Sequence, residues 1–149
     1  MKKTLTIILA LAIAFSTMAF LPQPVFAETG GGSGTLTADG AGHAGVTGEG
    51  TINISGNGIL YFKDNTGDAS IEIDGRGTRR VLANGWVRYL GFRGDAVITG
   101  SDVAVKITGV RIHLEASGTG KFFVRGHGTY ATGSQSGSWT LRLQAIPLD

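Results

Sequence analysis

A glycine motif that returns every eight residues constrains this chain more than any other feature. The tetrad x-Gly-x-Gly begins at residues 39, 47, 55, 74, 117 and 125. Within the first three copies, and again within the last two, the spacing is eight residues. Glycine reaches backbone conformations that other residues avoid, and it lets two backbones approach closely. Each eight-residue unit is therefore predicted to be one short strand followed by one chain reversal.

The residues between the tetrads alternate between apolar and polar. From residue 34 to residue 62 the even positions hold Gly, Ala, Val, Leu, Ile and Phe, and the odd positions are mostly polar. A period of two is typical of half-buried strands, and glycine at this density opposes helix. The pattern predicts about nine to twelve short strands in an all-β fold. We expect an antiparallel sandwich or barrel with Gly-rich turns, with a short β-solenoid as the alternative.

Glycines are predicted to form the structural turns of this fold. They are Gly40, Gly42, Gly48, Gly50, Gly56, Gly58, Gly75, Gly77, Gly85, Gly118, Gly120, Gly126 and Gly128. Three further turn signals are independent of the repeat. Residues 64–67 are predicted as a four-residue hairpin loop, residues 84–85 as a two-residue hairpin loop, and residues 133–137 as the separator of the last two runs.

The bulky side chains of the alternating runs are expected to fill one core, because large apolar residues are usually buried. They are Leu60, Phe62, Trp86, Leu90, Phe92, Phe122, Trp139 and Leu141. Glycine and alanine dominate the inward positions of the first half, which allows facing sheets to approach closely there.

Residues 1–27 have the composition of a secretory signal peptide. Lys2 and Lys3 precede an apolar run, and Val25 and Ala27 offer small residues at the −3 and −1 positions of a cleavage site. With cleavage, the domain plan is a signal peptide over 1–27, a flexible leader over 28–33 and a single glycine-rich all-β domain over 34–149. We expect no transmembrane segment in the mature chain, and a location in the periplasm or the extracellular space.

Removal of the signal peptide changes the charge of the chain. The whole chain has a formal net charge of +2, and the loss of Lys2 and Lys3 leaves 11 basic and 11 acidic residues. A neutral domain lacks the basic excess that attracts nucleic acid or anionic lipid, so we expect no nucleic-acid partner. The chain has no cysteine, which excludes disulfides and thiol nucleophiles.

The residues that could carry chemistry do not form a recognisable set. His43, His113 and His127 match no metal-ligand spacing and are interpreted as surface residues. Most aspartates coincide with turn signals, where hydrogen bonds to their own backbone explain them; these are Asp39, Asp64, Asp68, Asp74, Asp95 and Asp102. We therefore predict no catalytic residue, no cofactor and no metal.

Three other patterns favour an ordinary surface over a site. Residues 133–137 place Gln135 where a nucleophile elbow needs serine. Residues 93–95 form the Arg-Gly-Asp tripeptide of cell-attachment ligands, which arises easily by chance in a chain of this composition. Six arginines cluster in the middle of the sequence, but carboxylates are interspersed, so a mixed-charge surface is expected. These arginines are Arg76, Arg79, Arg80, Arg88, Arg93 and Arg111.

Three stretches of the mature chain carry a resemblance to known proteins. They are Gly-Asp-Ala-x-Ile-x-Ile-x-Gly-x-Gly at 67–77, Val-Arg-Tyr-x-Gly-Phe-x-Gly at 87–94 and Ala-x-Ile-x-Gly-Ser at 96–101. This sequence pattern resembles that of small secreted glycine-rich β-repeat proteins of bacteria that have no assigned activity. The pattern Ile-x-x-x-Gly-x-Gly is also similar, more weakly, to the β-helical head domains of bacterial adhesins. The resemblance implies secretion and a β fold, and it brings no catalytic residues.

From these observations we expect a secreted, non-enzymatic structural or binding module of the cell envelope or extracellular space. Its partner is expected to be a protein or glycan of the envelope, or a second copy of the chain. Two alternatives stay open. One is a small secreted hydrolase or carbohydrate-active protein whose site is assembled from scattered Asp, Glu and Tyr. The other is a self-assembling or adhesin-like β protein that pairs through edge strands.

Overall fold

The computed structural model describes residues 32–148, which form an all-β antiparallel structure. The strands are β1 (Gly32–Asp64), β2 (Ser70–Val81), β3 (Val87–Thr132), β4 (Ser136–Ser138) and β5 (Gln144–Pro147). The all-β antiparallel prediction is confirmed. Among the described residues no helix is long and apolar enough to cross a membrane. The predicted signal peptide and most of the predicted leader lie outside the described residues.

Strands β1 and β3 form a two-stranded ribbon that winds back on itself. Most residues of β1 pair with β3 on both sides. Ala44 and Leu60, sixteen residues apart, both pair with Ile107, and Ala38 and Ile54 both pair with Leu114. One turn of the winding is therefore sixteen residues, which is two of the eight-residue units seen in the sequence. The winding combines the antiparallel neighbours of a sandwich with the stacked coils of a solenoid.

The two halves of each turn stack into two facing layers. The front layer contains residues 43–47, 59–63, 78–81, 86–90, 104–108, 121–125 and 144–147. The rear layer contains residues 35–39, 51–55, 70–74, 95–99, 113–117, 129–132 and 136–138. Inward side chains of both layers belong to one buried cluster that includes Leu36, Val46, Leu60, Leu114 and Phe122. The arrangement is that of a sandwich, and the described strands do not close into a barrel.

The layers are joined along their two sides by rows of corners where the strands bend without breaking. Corner row A contains residues 40–42, 56–58, 75–77, 91–94, 109–112 and 126–128, and corner row B contains residues 32–34, 48–50, 100–103 and 118–120. Glycines lie opposite each other at these corners, as Gly50 does with Gly118. Gly50 has a φ of 137°, and a Cβ there would collide with the carbonyl oxygen of Ser117. Paired glycines thus let two bent backbones run side by side.

This bending changes the predicted number of strands. The sequence predicted about nine to twelve short strands, whereas the structure has five, of which β1 spans 33 residues and β3 spans 46. The tetrads bend the strands at corners while backbone pairing continues through them. Of the glycines predicted at turns, Gly85 lies in a loop, and the tetrad glycines lie inside β1, β2 or β3.

The loop over residues 64–67 differs from its prediction as a hairpin. Strand β3 lies between β1 and β2, so the loop crosses over β3 and the strands that it joins are not neighbours. The β2–β3 hairpin is present: Leu82 N donates to Trp86 O, and Gly85 N donates to Leu82 O. Its connection comprises residues 82–86 and is longer than the two residues predicted. Residues 133–135 connect β3 to β4, so the predicted separator over 133–137 is too long, since Ser136 and Gly137 belong to β4.

The core prediction is correct for five of its eight residues. Leu60, Phe62, Phe92, Phe122 and Trp139 are buried. Trp86 is half-buried, and the prediction is wrong for Leu90 and Leu141, which are 48 % and 70 % exposed. Leu90 precedes a bulge at Gly91, which turns its side chain outward while Phe92 points inward. Leu141 lies in the connection between β4 and β5.

The two ends of the sandwich differ. At one end β4 and β5 pair with β3, and the C-terminal segment buries Trp139, Ile146 and Leu148 against the core. At the other end lies β2, which among the described strands pairs only with β3. Most of its residues are exposed, and only Ile71 and Ile73 are half-buried. The chain therefore covers its core at one end and leaves a strand edge open at the other.

Candidate functional site

The outward positions of the front layer carry a single sign of charge. Alternation along each strand points odd residues of β1 outward here, because Ala44, Val46, Leu60 and Phe62 are buried. The charged residues at outward positions of this layer are Lys63, Arg80, Arg88, Lys106, Lys121 and Arg125. None of the outward strand positions of this layer holds Asp or Glu. The front layer is therefore a basic surface.

The outward positions of the rear layer carry the opposite sign. Its charged residues are Asp39, Glu72, Asp74, Asp95 and Glu115, and all five are exposed. None of the outward strand positions of this layer holds Lys or Arg. Asp39, Asp74 and Asp95 therefore lie on strands, where the sequence suggested turns.

The corner rows show the same separation of basic residues from acidic residues. Corner row A carries Arg76, Arg93 and Arg111 and no carboxylate, whereas corner row B carries Glu49 and Asp102 and no basic residue. The expectation of a mixed-charge surface is not met in the described part of the chain. Interspersed charges in the sequence separate in space because successive eight-residue units belong to opposite layers.

A cleft of about 200 Å³ opens on the front layer above Gly45. Gly45 has no side chain, and its cross-strand partners Phe123 and Lys106 form the two walls. The ammonium of Lys106 lies 4.6 Å from the ring centroid of Tyr61 and 4.9 Å from that of Trp86. These distances are within the range of cation–π attraction. No carboxylate lines the cleft.

His43 lies at the rim of this cleft, with Nδ1 2.8 Å from the hydroxyl of Thr108. Farther along the front layer, Arg88 pairs with Tyr61, and its Nε is buried without a hydrogen-bond partner among the described residues.

His113 is the centre of an acidic group on the rear layer. Its Nδ1 lies 2.7 Å from Asp39, and its Nε2 lies 3.4 Å from Glu115. The hydrogen bond to Asp39 raises the pKa of His113, and Glu115 acts in the same direction. The positive imidazolium is thereby favoured beside two carboxylates. The sequence predicted His113 as a surface residue but not its contact with Asp39, because the two residues are 74 positions apart in the chain.

The two carboxylates at the connection between β1 and β2 are occupied by hydrogen bonds from the loop and from Ser101 of β3. Asp64 accepts hydrogen bonds from the backbone N–H groups of Thr66, Gly67 and Ala69, and these bonds lower its pKa. Hydrogen bonds from Ser101 and Thr66 lower the pKa of Asp68 to about 2. The bonds of Asp64 agree with the prediction that aspartates at turn signals bond to nearby backbone, whereas Asp68 bonds mainly to Ser101 of β3. A group with so low a pKa is poorly matched to proton transfer near neutral pH.

The remaining predicted residues are distributed rather than gathered into one site. His43 is exposed on the front layer and His127 is exposed in corner row A. Residues 93–95 lie inside β3, where Gly94 pairs with both Gly56 and Gly75, and not on a projecting loop. In the part of the chain that the structure describes, no group of three or more His, Asp or Glu side chains is arranged to hold a metal ion.

Comparisons with protein-family models, with curated proteins and with solved structures gave no match. The resemblance to small secreted glycine-rich proteins therefore stays a prediction. The charge separation and the cleft are properties of this chain's own geometry.

Proposed function

We propose that the protein is a non-enzymatic module that binds an anionic polysaccharide on its front layer. One observation carries this proposal: six basic side chains share the outward surface of one layer that holds no outward carboxylate. Clustered charge of one sign attracts an oppositely charged polymer even when the net charge is close to zero. This modifies the expectation drawn from net charge, which treated the charges as evenly mixed.

The cleft supports a polymer over a free small molecule. Its volume of about 200 Å³ is below the roughly 300–1,000 Å³ of pockets that enclose small ligands. A cleft of this size suits one ring of a longer chain. Phe123 and Trp86 line the cleft beside Lys106, and their apolar ring surfaces suit a sugar ring that carries a carboxylate or phosphate.

The alternative of a hydrolase receives less support. That hypothesis needs carboxylates that converge in a cleft, and the front cleft has none. A shallow depression near corner row B is lined by Glu49 and Asp68, but hydrogen bonds from Ser101 and Thr66 hold the pKa of the Asp68 carboxylate low. A secreted binding module accounts for the basic front layer and its cleft, and it needs no proton donor.

The test is binding of purified protein to polygalacturonate, with neutral dextran as the uncharged comparison. We expect binding to polygalacturonate that weakens steeply with salt, and no binding to dextran. Lys106→Glu should weaken binding about tenfold, since a cation at an anionic surface contributes about 1 kcal/mol and the reversal adds repulsion. Arg111→Glu, the same charge change in corner row A, should have a smaller effect.

Two further measurements distinguish binding of a glycan from binding of other polyanions. Trp86→Ala should weaken polygalacturonate binding while leaving its salt dependence nearly unchanged, because it removes ring contact and no charge. Duplex DNA and vesicles of anionic phospholipid serve as competing probes. Tighter binding to either of these probes than to polygalacturonate would overturn the assignment to a glycan.

A further inference from the structure

Strand β2 has an open edge and an unusual order of charges. Its sequence passes from Glu72 and Asp74 to Arg76, Arg79 and Arg80. The first half lies in the rear layer and the second half in the front layer, because the strand bends at corner row A. One edge strand therefore carries an acidic half and a basic half on either side of a bend.

We propose that β2 pairs antiparallel with β2 of a second copy of this chain, so that the two sandwiches join end to end. Antiparallel pairing of a strand with itself places its first half beside the second half of the partner strand. Glu72 and Asp74 of one copy then lie next to Arg76 and Arg80 of the other, and the same contacts repeat on the other side of the two-fold axis. Opposite charges on neighbouring strands stabilise pairing, whereas like charges oppose it.

The bend makes this two-fold arrangement geometrically possible. A two-fold axis that passes between the layers through Gly75 exchanges the front and rear layers and places Asp74 of one copy opposite Arg76 of the other. The rear layer of one copy is then continued by the front layer of the other, and the strand directions at the junction are antiparallel. Outward residues stay outward across the junction, since β2 keeps its alternation with Ile71 and Ile73 facing inward.

The contrast between the two ends of the sandwich supports this surface independently. The C-terminal segment covers the core at one end with Trp139, Ile146 and Leu148. No described residue covers the outer edge of β2, where Val81 is 58 % exposed. An unpaired edge of 12 residues is a template for another strand. A two-fold pairing uses the β2 edge of each copy once and yields a closed dimer, and the strand edges left at the opposite end are the short β4 and β5.

The experiment is sedimentation equilibrium of purified protein at low ionic strength, without any glycan. The unmodified protein should form a dimer. Glu72→Lys with Asp74→Lys makes every charge on β2 basic, and Arg76→Glu with Arg80→Glu makes every outward charge on β2 acidic, since the remaining Arg79 occupies an inward position. Each double variant alone should weaken dimerisation at least about tenfold. An equimolar mixture of the two should restore a dimer, because each acidic half then meets a basic half.

The control has the same charge change elsewhere on the rear layer. Asp39→Lys with Glu115→Lys lies several strands away from β2, and it should leave the dimer intact. A monomer at all concentrations would overturn the proposal, as would failure of the mixture to associate. Loss of association in the control with retention in the β2 variants would instead assign the contact to stacking of front layer on rear layer. Glycan binding is measured separately on the Lys106 variant, so the two proposals fail independently.

Discussion

At the scale of single residues, glycines of this chain meet two different requirements. Gly50 has a φ of 137° and faces Gly118 across the strands, so both its conformation and its neighbours exclude a side chain. Gly67, in the loop between β1 and β2, has a φ of 82° and open space around the position of a Cβ. The first glycine is needed for close packing of backbones, and the second only for its conformation.

Alanine substitution should separate these two requirements. Gly50→Ala should cost about 3 kcal/mol or more in the free energy of unfolding, because backbone on the neighbouring strand must move. Gly67→Ala should cost about 1–2 kcal/mol, the usual strain of a left-handed residue with a side chain. Urea unfolding followed by tryptophan fluorescence measures both. Equal costs would contradict the view that paired glycines set the distance between strands at the corners.

At the scale of elements, the C-terminal segment acts as a cover for the core. Trp139 is 4 % exposed and its Nε1 donates a hydrogen bond to the carbonyl oxygen of Thr129, 3.1 Å away. Leu141, two residues later, is 70 % exposed. The segment therefore stabilises the fold through particular side chains and not through its whole length.

Removal of the indole should accordingly be far more costly than removal of the neighbouring leucine side chain. Trp139→Ala should lower the free energy of unfolding by about 3–5 kcal/mol, as large-to-small changes in cores do. Leu141→Ala should change it by less than about 0.5 kcal/mol. Thermal unfolding followed by circular dichroism compares the two variants. A large effect of Leu141→Ala would show that the exposed connection also packs against a surface.

Much of the arrangement of strands and bends could be predicted from the sequence, and the errors in that prediction have local causes. The eight-residue spacing predicts where the strands bend, because glycine is required where two bent backbones run side by side. Simple alternation does not predict which side chains of β3 point into the core along its whole length. Ile98 and Ile112 are buried at even positions, but Val105 and Ile107 are buried at odd positions. Bulges at residues 101–102 and 110–111 cause both changes of parity.

The candidate site was hidden from the sequence for a different reason. Glu72 and Arg80 are close in sequence, yet they belong to opposite layers. Charge separation appears only when each eight-residue unit is assigned to a layer, and that assignment depends on the sixteen-residue winding. Counting charges along the chain gave a mixed surface because the count averages over the two layers.

At the scale of the whole molecule, the separated charges make the protein strongly polarised. A basic front layer and an acidic rear layer should let the purified protein bind to both cation- and anion-exchange resins at pH 7 and low salt. Exchange of one charge pair, Lys106→Glu with Glu115→Lys, keeps the net charge and should weaken retention on both resins. Retention that follows net charge alone would contradict the polarised surface.

The winding of β1 between two stretches of β3 also determines when the chain can fold. Leu36, near the start of β1, pairs with Thr132, at the end of β3. The first residues of β1 therefore lack their partners until residues 114–132 of a growing or threading chain have emerged. Strand pairing over such sequence distances is slow, so the unfolded chain persists long enough for other proteins to bind it. A fold of this kind is finished only when its last strand arrives.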